Sequence, residues 1–188
     1  MKPTKLMVAT AAVGAFALTA LAQEPTDFMI KKGAQAPKFT TVASDDKQYA
    51  LTELLKKGPV FLYFVKEHCG ANPQAVPHFN SIAKAYEGKN VTFLAVINAD
   101  KKAHSEWAKT FKSPTTALLD PDKKLIKEYK IRFSQSAVMV APDGTVAKVF
   151  PGYGQASLDD LNASMAGVAK MEVPKLDFSN APKNPRFG

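Results

Sequence analysis

At 188 residues, 46% hydrophobic and 22% charged, the chain has the length of one domain with a core of its own. Its net charge of +8 is scattered in short pairs (Lys31-Lys32, Lys56-Lys57, Lys101-Lys102, Lys123-Lys124) with no basic stripe interleaved with aromatics. That sets nucleic acid aside and leaves solvation, with weak attraction to an anionic envelope surface. A single cysteine, Cys69, excludes an internal disulfide: in an oxidising compartment the thiol is either buried and inert or has a partner elsewhere, a second Cys69 included.

The chain begins with a basic stretch at Lys2 and Lys5, an apolar run from Leu6 to Leu21, and small residues at Ala20 and Ala22. This three-part order predicts a secretory signal peptide over 1–22, cleaved before Gln23, and a periplasmic or secreted protein. A membrane anchor would need about 20 apolar residues, and this run is shorter and interrupted by Thr10, Gly14 and Thr19. Loss of Lys2 and Lys5 with the signal lowers the net charge from +8 to +6. A polar leader over 23–33 precedes the domain, which is expected over 34–170.

Within the domain, Lys38 to Val42 predicts a short strand, Asp45-Asp46-Lys47 a turn, and Leu51 to Lys57 a short helix closed by Gly58-Pro59. Val60-Phe61-Leu62-Tyr63-Phe64-Val65 is apolar without alternation, as in a strand buried on both faces. Val76, Phe79, Ile82, Ala83 and Tyr86 fall at helical spacing. A second buried strand is expected over Val91 to Ile97, then a helix over Ala103 to Phe111. Thr116 to Leu119 (strand), Lys123 to Tyr129 (helix) and Ser136 to Val140 (strand) follow. Pro142-Asp143-Gly144 turns that strand into Thr145 to Phe150, and Leu158, Leu161 and Met165 mark a last helix over about 157–169. Strands alternating with helices, then a hairpin and a helix, predict a three-layer α/β/α fold on a central mixed sheet. The tail over 171–188, with Pro174, Pro182 and Pro185, has no periodicity and is either disordered or laid across the surface.

Cys69 falls between the first buried strand and the helix after it. A helix N-terminus favours thiolate over thiol; Lys66 and His68 add positive charge and Glu67 opposes it. Asn72-Pro73 reads as an N-cap followed by a proline at the first helical position, which leaves Cys69 three residues before the helix. His78 is expected to pack on its helix, His104 to lie at the surface, and Trp107 to pair with Phe111 in the core.

Pro37-Lys38-Phe39, Leu51-Thr52-Glu53-Leu54, Leu118-Leu119-Asp120-Pro121-Asp122 with Leu125 and Tyr129, and Ala141-Pro142-Asp143-Gly144 occur in the order and spacing of a known pattern. Over residues 34–168 the chain resembles the thioredoxin fold in its redoxin form, the alkyl hydroperoxide reductase/thiol-specific antioxidant superfamily. Cys69 and Pro77 are spaced like the first cysteine and the helix proline of thioredoxins, so Cys-Gly-Ala-Asn resembles Cys-Gly-Pro-Cys with Asn72 in place of the resolving cysteine. The resemblance implies a nucleophilic role for Cys69. The position facing it, a cis-proline in thioredoxins, is Gln135. Where peroxiredoxins keep an arginine and a Thr or Ser, this chain has Gln135 and Lys66, with Arg132 out of register.

Two classes of function follow. One is a thiol oxidoreductase or peroxiredoxin-like antioxidant protein that relies on an external thiol, since Cys69 has no resolving partner. The other is a redox-inactive binding or structural module that docks an envelope protein. A copper-handling role through Cys69, His68 and His78, as in copper-delivering redoxin relatives, is a lesser alternative. The first two call for no cofactor and no metal.

Overall fold

The computed structural model describes residues 28–188; the expected signal peptide and the start of the leader lie outside the described residues. The elements run β1 (Thr40–Val42), β2 (Gln48–Ala50), α1 (Leu51–Leu55), β3 (Val60–Val65), α2 (Asn72–Ala85) and β4 (Thr92–Ile97). Then come α3 (Lys101–Phe111), β5 (Ala117–Leu119), α4 (Lys124–Glu128), β6 (Ser136–Val140), β7 (Val146–Phe150) and α5 (Gln155–Ala169). β1 and β2 form a small antiparallel hairpin. The main sheet has the order β5-β4-β3-β6-β7, with β3, β4 and β5 parallel and β6 and β7 antiparallel.

The unbroken apolar run of β3 is explained by its central place: all six of its residues are buried. Phe61, Tyr63 and Val65 face a core shared with Val76 and Phe79 of α2, Trp107 of α3 and Leu158, Leu161 and Met165 of α5. Val60, Leu62 and Phe64 face a second core with Leu51, Leu54 and Leu55 of α1 and Leu125 and Ile126 of α4. Helices therefore cover both faces, giving the three layers of a thioredoxin-like fold. Burying each such side chain contributes about 1.5–3 kcal/mol, so the middle of the sheet is the most firmly held part of the molecule, and the loop that leaves β3 starts from a fixed point.

Two expectations are corrected. His104 is 7% exposed, not a surface residue; it lies three residues before Trp107 on the inward face of α3, with the two rings stacked at 6.2 Å. Asn72 is not an N-cap. Ala71 holds that place and the proline falls one position further in, because the Asn72 side chain turns into the protein. β2 was not foreseen. The tail does lie across the surface, with Phe178 and Ala181 buried.

Candidate functional site

β3 ends at Val65, and the chain makes a tight loop before α2. Cys69 donates its N–H to the Lys66 carbonyl (3.2 Å), and its own carbonyl accepts from the Asn72 N–H (3.0 Å). The half-buried Cys69 sulfur accepts the Ala71 N–H at 3.4 Å. A backbone donor aimed at the sulfur stabilises developing negative charge there, the same effect as the free N–H groups at a helix start.

Beneath the thiol runs a chain of buried side chains. The Tyr63 hydroxyl donates to Gln135 Oε1. Gln135 Nε2 donates to Asn72 Oδ1 at 2.6 Å. Asn72 Nδ2 in turn donates to the Lys66 and Glu67 carbonyls at 3.0 and 2.9 Å. Burial first, and the Cys69 charge second, push the Tyr63 hydroxyl well above its ordinary pKa of 10.0, so it stays a proton donor. Gln135 has φ 67, a conformation that costs a non-glycine residue about 1–3 kcal/mol unless its surroundings fix it. Here they do: its N–H donates to the Phe64 carbonyl at 2.9 Å, and its amide is bonded at both ends.

The other expected site residues are placed as follows. Lys66 Nζ reaches over to donate to the Arg132 carbonyl at 2.6 Å. The His68 side chain is 88% exposed, 3.5 Å from Glu67. His78 packs edge-on against Phe178 of the tail. Among the described residues no three His, Cys, Asp or Glu side chains are grouped to hold a metal ion. Gln135 is directed into the buried chain, and the neighbouring Ser134 is the residue turned to the thiol loop: its hydroxyl accepts the Lys66 N–H at 2.9 Å. Tyr63 and Ser134 escaped sequence reasoning. The first is hidden in an apolar run, and the second acts through a contact 68 residues away.

The model of the AhpC/TSA family matches residues 32–149, a stretch that includes β3, the Cys69 loop and Gln135. The chain belongs to the AhpC/TSA family. Within this redoxin family it is similar to the chloroplastic peroxiredoxin Q of Gentiana triflora, 30% identical over 104 residues, covering 54% of this chain and 47% of that protein. The chain thus spans about half the length of the curated relatives it matches. Among solved structures, a thiol:disulfide interchange protein from a Bacteroides species superposes with a TM-score of 0.60 at 19% identity, over 76% of this chain and 93% of the other. Peroxidoxin BcpB from Mycobacterium tuberculosis gives 0.57 at 15%, over 75% and 97%. At these identities the two structures speak for the fold, a thioredoxin-like redoxin. No helix among the described residues is long and apolar enough to cross a membrane.

Proposed function

We propose that this protein is an exported single-cysteine redoxin in which Cys69 is the nucleophile and an external thiol completes the cycle. The observation that carries this reading is the placement of Cys69: half-buried, at the junction of β3 and α2, with a backbone N–H directed at its sulfur. With a peroxide, the thiolate attacks one oxygen, an S–O bond forms as the O–O bond breaks, and the departing oxyanion takes a proton, leaving an alcohol or water and a sulfenic acid on Cys69. An external thiol then forms an S–S bond to Cys69 with loss of water, and a second external thiol releases Cys69 and leaves as the external disulfide. Lys66 adds positive charge around the loop without touching the sulfur, and the exposed His68 side chain lies beside Glu67. Asn72, a buried amide, takes no chemical part. Export rests on the 1–22 segment, and the partner is a thiol reductant or an envelope protein.

The test is peroxide consumption by the reduced protein in excess dithiothreitol, with trapping of a sulfenic acid on Cys69 by dimedone. The reading expects both in the wild type and neither in Cys69→Ser; equal consumption by the two proteins sinks it. One observation favours a redox-inactive docking module instead: Asn72 and Gln135, the two positions where a thioredoxin site has its second cysteine and cis-proline, are used up in a buried structural hydrogen-bond chain. On that reading Cys69→Ser retains partner binding in full, and no sulfenic acid forms.

A further inference from the structure

After Phe178 and Ala181 enter the core, the tail turns back across the start of α5 toward the Cys69 loop. The Gln155 N–H donates to the Pro182 carbonyl at 2.9 Å. Tyr153 and Arg186 then exchange two backbone hydrogen bonds at 2.9 and 2.8 Å, and the Ser134 N–H donates to the Gly188 oxygen at 2.7 Å. Residues 183–187 present exposed side chains, so this stretch is held by backbone groups and by one ring: Phe187 lies 5.0 Å from Phe28 and 5.6 Å from Phe133.

Three glycines mark how closely the tail approaches. A methyl group at Gly188 would overlap the Cys69 sulfur and lie 3.2 Å from Ala71 Cβ, so backbone at this residue covers the thiol. A methyl at Gly154 would meet Pro185 backbone at 3.0 Å, and one at Gly152 would overlap the Arg186 carbonyl oxygen. Gly154 has extended φ of -177, which any residue adopts; a side chain there would push the Asn184 and Pro185 backbone of the tail away by a few tenths of an ångström. The family match ends at residue 149, so the tail and the segment 152–154 that it crosses lie beyond the matched stretch, whereas Cys69 and Ser134 lie within it.

We propose that residues 184–188 form a releasable strap, docked in cis along the Tyr153 and Ser134 backbone, and that Cys69 becomes reactive when the strap lifts. Lifting frees the N–H and C=O groups of Tyr153 and the N–H of Ser134 beside an uncovered sulfur. An extended polypeptide segment with a small residue opposite Cys69 fits that edge by the backbone pairing the strap itself uses. This partner class rests on the reading of Cys69 as a working thiol; the covering of the thiol does not.

The test compares iodoacetamide alkylation of Cys69, at one pH, in the full chain and in its Phe187→Ala, Gly154→Ala and Gly188→Ala variants. Each variant loosens the strap from a different contact, so each is expected to react about threefold to fivefold faster, in proportion to the open fraction, with unchanged circular dichroism. Rates equal to wild type in the folded variants overturn the proposal. A second readout needs no variant: in the wild type, the Tyr153 and Ser134 amides should exchange with solvent through a local opening faster than the amides of β3. Exchange of those two only with global unfolding also overturns it. Both readouts are independent of peroxide turnover, so the strap and the redox reading succeed or fail separately.

Discussion

A buried carboxamide has two hydrogens to give and an oxygen that accepts, and Asn72 gives both hydrogens to loop carbonyls and accepts from Gln135. Cut back to alanine, it leaves the Glu67 carbonyl and the Gln135 Nε2 short of partners while the Lys66 carbonyl keeps the Cys69 N–H, and each orphaned buried group costs about 1–3 kcal/mol. We expect Asn72→Ala to lose about 3 kcal/mol in urea unfolding. The Asn72→Ala/Gln135→Ala double variant should lose less than the sum of the singles by about 1 kcal/mol, because the two side chains share one bond. Strict additivity would mean that the buried chain does not act as a unit. The same reasoning bears on Asn72→Cys, which completes a two-cysteine motif only by breaking the contacts that hold the Cys69 loop.

Among the elements, α2 and α3 carry the pH dependence through one histidine each. Burial lowers the pKa of His104 below 6.5, and burial does the same to His78 against the pull of Asp177. The unfolded chain therefore binds these protons first as pH falls, so stability is full above about 6.5 and drains away below it. Asp120, raised above 3.8 by burial, has the opposite sign: between 3.8 and its folded value the native state holds more protons, and acidification favours the fold. His104→Phe keeps a ring against Trp107 and removes the titration, so the fall in melting temperature from about pH 7 to about pH 5 should be shallower in that variant; an identical slope assigns the effect elsewhere. At this scale much was legible in the sequence. The run of Val60 to Val65 announced a doubly buried strand, and Pro142-Asp143-Gly144 announced the hairpin. Asp100 was a readable helix start as well, its carboxylate accepting the Ala103 N–H at 2.8 Å, so that the helix begins at Lys101, two residues before the expected Ala103. β2 was not legible: Gln48–Ala50 is too short to show a period, and its pairing with Thr40–Val42 is what makes it a strand. The cap preference of Asn72 misled for a related reason. Local propensity weighs only the neighbouring backbone, whereas Gln135, 63 residues away, offered the side chain a buried partner.

Across the whole molecule the tail divides into a root and a strap, and the two halves should respond to substitution in different ways. Phe178 is 5% exposed and belongs to the core that includes Tyr153 and Leu158, against the edge of His78. The Asn162 side chain secures the stretch before it by donating to the Pro174 carbonyl at 2.8 Å. Emptying that site with Phe178→Ala should cost about 3–5 kcal/mol, as for other large-to-small core changes. Phe187 is 36% exposed, and Phe187→Ala should cost about 1 kcal/mol or less, in the range of surface changes. Urea unfolding of the two variants measures the contrast. A root fixed in the core holds the strap beside its docking edge at high effective concentration, so loss of a few weak contacts can uncover Cys69 without loosening the fold, and the strap re-docks unless something else has taken its place. Comparable losses from the two substitutions would make the tail one cooperative unit, and the thiol would then be uncovered only when the domain itself unfolds.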